Sequence, residues 1–164
     1  MRIRDFHTRD SEQVNRIALA AFDELRAHYD DWPALASGLG RMAALADRTE
    51  LIVAEHSDRI VGAVAYVGPD RDKADFFDLD WPIIRLLVVD PDSRGIGAGR
   101  ALTEECIARA ERDGASVIAL HTSPIMTVAL PMYLRMGFEL VRAAPPIHGV
   151  PYSVYLKAIH KSDE

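Results

Sequence analysis

The chain has 164 residues, 49% of them hydrophobic, enough to bury one core and too few for a second full-sized domain. Lys and Arg number 19 against 25 Asp and Glu, and the formal charge of -6 at pH 7 argues against bulk electrostatic affinity for nucleic acid or an anionic membrane. A lone Cys106 excludes an internal disulfide, no apolar run reaches the length of a membrane span, and the start Met1-Arg2-Ile3-Arg4-Asp5 lacks a signal peptide's apolar stretch, so a reducing, cytoplasmic setting is expected.

In chain order, Ile3 to Phe6 reads as a short strand, followed by a helix capped at Asp10 or Ser11 and running to about Arg26. Val14, Ile17, Ala18, Ala21, Phe22 and Leu25 fall on one of its faces. Pro33 to Ala46 predicts a second helix with Leu35, Leu39, Met42 and Leu45 inward, weakened by Gly38 and Gly40. Leu51 to Glu55 and Ile60 to Val67 form a hairpin turning at His56-Ser57-Asp58-Arg59. After a loop from Gly68 to Trp81 come a strand, Pro82 to Val89, and a helix to about Arg112 with Ala98, Leu102, Cys106 and Ala110 at i+4 spacing. Gly114 stops it. Val117 to Ser123 is a further buried strand, Met126 to Met136 a short helix, and Phe138 to Arg142 with Pro151 to Ala158 a closing antiparallel pair. The order β-α-α-β-β-β-α-β-α-β-β implies a single α/β domain over residues 1–164, a mixed sheet with helices on both faces.

The segment Val89-Asp90-Pro91-Asp92-Ser93-Arg94-Gly95-Ile96-Gly97-Ala98-Gly99-Arg100 carries the chemistry. An apolar strand passes through a tight turn into a helix opened by Gly95, Gly97 and Gly99, so unpaired backbone N–H groups and the positive end of the helix dipole can face an anion at close range. Arg94 and Arg100 add full charge. A phosphate-bearing ligand is the natural occupant. A dinucleotide fingerprint would place its third glycine at Arg100 or Leu102, and a nucleoside-triphosphate loop needs a Lys that follows none of these glycines.

The pattern Arg94-x-x-Gly97-x-Gly99 resembles the acyl-CoA pyrophosphate loop of the GCN5-related N-acetyltransferase (GNAT) superfamily. A strand and helix of the right kind follow it, with Tyr133 four residues ahead of Gly137-Phe138, and the predicted element order is also the superfamily's. The resemblance implies an acyl-CoA N-acyltransferase (GNAT) fold over most of the chain. It implies acetyl-CoA as cosubstrate and an amine acceptor; no metal is expected, the charge already argues against a nucleic-acid or membrane partner, and a homodimer stays open. The resemblance assigns CoA binding to Leu87, Val88 and Val89 on the strand and to Arg94, Gly95, Ile96, Gly97, Ala98, Gly99 and Arg100 on the turn. A strand bulge would expose an N–H to the thioester oxyanion.

Acyl transfer needs a neutral amine, and at pH 7 an amine of pKa about 10.4 is neutral only about one time in 2,500. Tyr133 is the expected proton donor, or hydrogen-bond donor, to the departing sulfur. The general base departs from the superfamily pattern. Ile83 stands where relatives carry a glutamate, leaving His121, with an ordinary ring pKa near 6.5, or solvent. Met126 replaces an asparagine, and Thr122, Ser123 and Thr127 offer substitute hydroxyls or caps. Pro131 requires the helix carrying Tyr133 to bend or to start late. The Gly68 to Trp81 loop has five Asp and three aromatics, suited either to receiving a cationic acceptor or to anchoring an acidic loop on the sheet. Arg26, His28 and Tyr29 offer the opposite polarity. A fold relative that binds CoA without turnover is the alternative to an enzyme.

Overall fold

The computed structural model describes residues 1–159. The elements are β1 (Arg2–Asp5), α1 (Ser11–Asp23), α2 (Trp32–Leu39), β2 (Glu50–His56), β3 (Arg59–Val67), β4 (Ile83–Val89), α3 (Ala98–Arg112), β5 (Val117–Thr122), α4 (Ala129–Arg135), β6 (Glu139–Ile147) and β7 (Val150–Ala158). The strands form one mixed seven-stranded sheet in the order β1-β2-β3-β4-β5-β7-β6, with β4 and β5 its parallel pair. β3 is buried from Ile60 to Val67 and so reads as a near-continuous apolar run, as a strand covered on both faces must.

Helices cover both faces. The i+4 stripe of α3, Ala98, Leu102, Cys106 and Ala110, packs with Tyr133 of α4 and with Phe138 against Ile52, Val64 and Ile118. On the opposite face Val14, Ile17 and Ala18 of α1 meet Leu39, Met42, Val53, Ala63 and Ala65. Arg4 joins β1 to the next turn and to β2. It donates to Asp10 at 2.8 and 3.1 Å and to Glu55 at 2.8 Å, while Asp10, almost fully buried, also accepts the His7 N–H.

Three boundaries differ from the sequence expectation. α1 stops at Asp23, and a 3-10 turn over Arg26–His28 follows. The helix expected over 33–46 breaks at Gly40, and Met42–Asp47 is a 3-10 segment pinned to α1 by the Asn15 side chain, which accepts the Ala43 N–H at 2.8 Å. β6 continues through Pro145-Pro146 to Ile147. Prolines are tolerated there because β6 is the sheet edge, and the hairpin turns at His148-Gly149. Among the described residues, no helix is long and apolar enough to cross a membrane.

Candidate functional site

The site is a split in the sheet. β4 and β5 pair only at Ile83 with Ala119, whose N–H donates to the Pro82 carbonyl at 3.0 Å, and the two strands then separate. On its other edge β4 holds to β3, except that Ala65 opposes Arg85 while Ala63 opposes Val88. Leu86 and Leu87 therefore face the single residue Val64. This bulge puts Leu86 at φ 57°, a left-handed conformation that costs about 1–2 kcal/mol for a residue with a Cβ and is held by packing against the α1 side of the core. Beyond the bulge Asp90 donates its N–H to Val61 on β3, so by strand alternation the N–H and carbonyl of Val89 face the gap left by β5.

A cavity of about 580 Å³ occupies the gap and is lined from both faces of the sheet. Gly99, Met132 and Tyr133 come from the α3 and α4 side, Phe22, Leu35 and Tyr152 from the other. Two ligands approaching from opposite faces can therefore meet at one point between β4 and β5.

At the α3 end, Asp90 accepts the Asp92 N–H and turns the chain through Pro91–Ser93. Gly97 is the helix N-cap at φ 84°, a conformation that favours glycine, and no protein atom lies within 4 Å of where its Cβ would stand. The space over the turn is thus open. A Cβ on Gly99 would lie 3.5 Å from Val89 and 3.8 Å from Leu87 and Met132, in ordinary contact with the strand and with α4. The first helical hydrogen bond runs from Ala101 N–H to the Gly97 carbonyl. The N–H groups of Ala98, Gly99 and Arg100 have no partner within the helix. These observations fit a pyrophosphate.

The sequence-derived residues divide. Leu87, Val89, Arg94, Gly99, His121 and Tyr133 line the cavity. Val88 is buried in the α1-side core, and Gly95, Ile96, Gly97, Ala98 and Arg100 lie on the turn outside it. Arg94 is engaged with Glu24 at 2.7 Å and Arg100 with Glu104 at 2.9 Å, both at exposed positions, so their charge is partly compensated on the protein surface.

α4 starts late, at Ala129, which puts Pro131 in its first turn, where a backbone N–H has no helical partner to lose. Tyr133 follows, packed edge-on against Phe138 at 5.5 Å. Its hydroxyl has no hydrogen-bond partner among the described residues, and burial pushes its pKa up, so it stays protonated. Ser123 accepts the Ile125 N–H as a turn cap, while Thr122, Met126 and Thr127 line the cavity.

His121 sits between Phe76, Phe77 and Tyr152, with ring centroids 5.1, 5.8 and 5.1 Å away. Burial, helped by the positive charge of Arg85, pushes its pKa down to about 4, so the ring is neutral at pH 7. Tyr152, which lines the cavity, in turn shares a short hydrogen bond with Tyr29 behind it. The acidic loop is anchored rather than open. Phe77 is buried beneath it, Lys73 donates to the carbonyls of Gly68, Arg71 and Leu79, and Arg142 already covers the Trp81 ring at 4.8 Å. None of its five Asp lines the cavity.

Arg85, Arg41 and Glu24 are charged cavity residues that sequence reasoning missed, and Arg85 had the clearest signal, as the lone charge inside Ile83-Ile84-Arg85-Leu86-Leu87-Val88-Val89. Among the described residues, no group of three or more His, Cys, Asp or Glu is placed to hold a metal ion.

The sequence profile of the acetyltransferase (GNAT) family matches residues 11–138. A mycothiol acetyltransferase of Cellulomonas flavigena is 36% identical over 77 residues; the match covers 42% of this chain and 22% of that protein's length. Among solved structures, PH1933 from Pyrococcus horikoshii OT3 superposes with a TM-score of 0.77 at 16% identity, covering 98% of this chain and 99% of that one. A histone acetyltransferase HPA2 and related acetyltransferase from Corynebacterium glutamicum superposes at 0.74, with 21% identity and coverage of 99% and 98%. At these identities the solved structures speak for the fold, while the profile, spanning most of the chain, speaks for descent: this chain belongs to the acetyltransferase (GNAT) family.

Proposed function

We propose that the protein transfers the acetyl group of acetyl-CoA to a primary amine by direct attack on the thioester. The observation that carries this is the cavity through the split sheet, with the open glycine turn beside it and Tyr133 and His121 in its wall. The pyrophosphate rests on the N–H groups of the Gly95 to Arg100 turn, and the pantetheine arm pairs with the free edge of β4 at Leu87 and Val89 as an added strand would. The amine enters from the α1 face. Its nitrogen forms a bond to the carbonyl carbon, the oxygen takes up negative charge beside the β4 bulge, and the carbon–sulfur bond then breaks. The proton that nitrogen sheds balances the one that sulfur takes, with the Tyr133 hydroxyl hydrogen-bonding the departing thiolate.

His121 is a weak base in this setting. Moving a proton from an ordinary ammonium of pKa about 10.4 to a ring titrating near 4 is uphill by about 9 kcal/mol. Glu24 is the one carboxylate lining the cavity among the described residues, and Arg94 holds it. The acceptor therefore arrives already neutral from solution, and His121 accepts a hydrogen bond that orients it.

Thermal unfolding with acetyl-CoA, paired with thiol release from pooled amines, tests this. Acetyl-CoA at 100 times its Kd adds about 2.7 kcal/mol, a rise of several degrees in Tm. Gly97→Val is less stable by about 1–3 kcal/mol from its φ of 84° and loses the ligand-induced rise. A rise without thiol release identifies a binding module of the same fold; no rise at all refutes the assignment.

A further inference from the structure

Resting on the acyl-transfer reading, we propose that Arg85 binds a carboxylate on the acceptor, making the preferred substrate a small amino acid rather than a simple amine. The parallel register of Ile83 with Ala119 puts Arg85 and His121, each two residues further on, on the same face of the sheet at the start of the gap. That face carries α1 and α2, opposite the one from which α3 presents its glycine turn. Arg85 is therefore on the acceptor side of the split.

Arg85 lines the cavity, is exposed, and makes no ion pair or hydrogen bond among the described residues. Its neighbours give it none to make. The cavity's carboxylate, Glu24, is taken by Arg94, and the side chains around His121 are the uncharged rings of Phe76, Phe77 and Tyr152. Arg41 also lines the cavity, with its Nε donating to the Ser37 carbonyl. A chain with an excess of acidic residues thus holds uncompensated positive charge at its acceptor face. A guanidinium offers two parallel N–H donors to a carboxylate. Beside a neutral His121, this planar fork matches the two oxygens of a carboxylate. The cavity volume of about 580 Å³ is that of a small-molecule site.

The test measures thiol release from acetyl-CoA with a panel of free amino acids and their carboxamides, on wild type, Arg85→Gln and Arg85→Lys. The ratio of kcat/KM for acid over amide, compared between wild type and variant, cancels the difference in amine pKa between the two acceptors. Arg85→Gln is expected to lower that ratio about 10- to 100-fold, chiefly through KM of the acid, with Arg85→Lys in between. An unchanged ratio overturns the proposal, as does a rise in KM for acetyl-CoA with the ratio intact, which would assign Arg85 to the CoA phosphates. Thiol release with the carboxamides but with none of the acids overturns this proposal alone. Absence of stabilisation by acetyl-CoA overturns the reading beneath it.

Discussion

Acidification from pH 7 to 4.5 measures how deeply His121 is desolvated. In the unfolded chain the ring titrates near 6.5; in the folded protein burial and the Arg85 charge hold it at about 4. A depressed pKa means the unfolded state binds more protons between these values, so folding stability falls as pH is lowered through this window and is fully retained above it. At pH 4.5 the unfolded ring is almost fully protonated and the folded one about a quarter protonated, giving a loss of about 2 kcal/mol relative to pH 7. The carboxylates titrate in the same range, so the assay is a difference. Urea unfolding of wild type and His121→Gln at both pH values should show wild type losing about 2 kcal/mol more than the variant. NMR of the ring protons should give a midpoint near 4 that rises in Arg85→Gln. Equal acid losses in the two proteins, with a midpoint between 6 and 7, would refute a desolvated His121 and restore it as a candidate base at neutral pH. The proposed mechanism then predicts no acidic limb near 6.5 in kcat/KM, which should instead climb with pH toward the amine's own pKa.

Tyr133→Phe should lower kcat by about 10- to 1000-fold and leave acetyl-CoA affinity nearly unchanged, because in the proposed mechanism the hydroxyl acts on charge that develops late in the reaction. Since that hydroxyl has no protein partner, the variant should unfold at the same or higher denaturant concentration than wild type; wild-type turnover would make Tyr133 structural. Asp10→Ala removes the buried carboxylate that pairs with Arg4 and accepts the His7 N–H, and should cost about 3–5 kcal/mol in urea unfolding; a loss below 1 kcal/mol would show that Glu55 alone satisfies Arg4.

The local elements were largely legible in the chain. Alternate glycines after an apolar strand located the helix terminus at Gly97, because a left-handed N-cap at φ 84° disfavours a residue with a Cβ. The i+4 stripe from Ala98 to Ala110 located the buried face of α3, and the position of Tyr133 ahead of Gly137-Phe138 located α4. These signals are carried by neighbours within one or two turns of backbone, where residue type acts directly on conformation.

The active gap was decided elsewhere. Nothing in Ile83-Ile84-Arg85-Leu86-Leu87-Val88-Val89 marks a bulge, since leucine has no preference for φ 57°; the bulge exists because β3 pairs on both sides of it and the core holds Leu86 in place. The parting of β4 from β5 depends on β5 following β7 through six paired positions while β4 follows β3. His121 has an ordinary histidine's pKa in the sequence and a depressed one in the fold, because Phe76, Phe77 and Tyr152 arrive from distant segments and displace its water. Sequence alone determined which residues could bend, cap and pack locally. Tertiary structure decided which strand edges stayed unpaired and which charges lost their solvent, since both depend on partners far away along the chain.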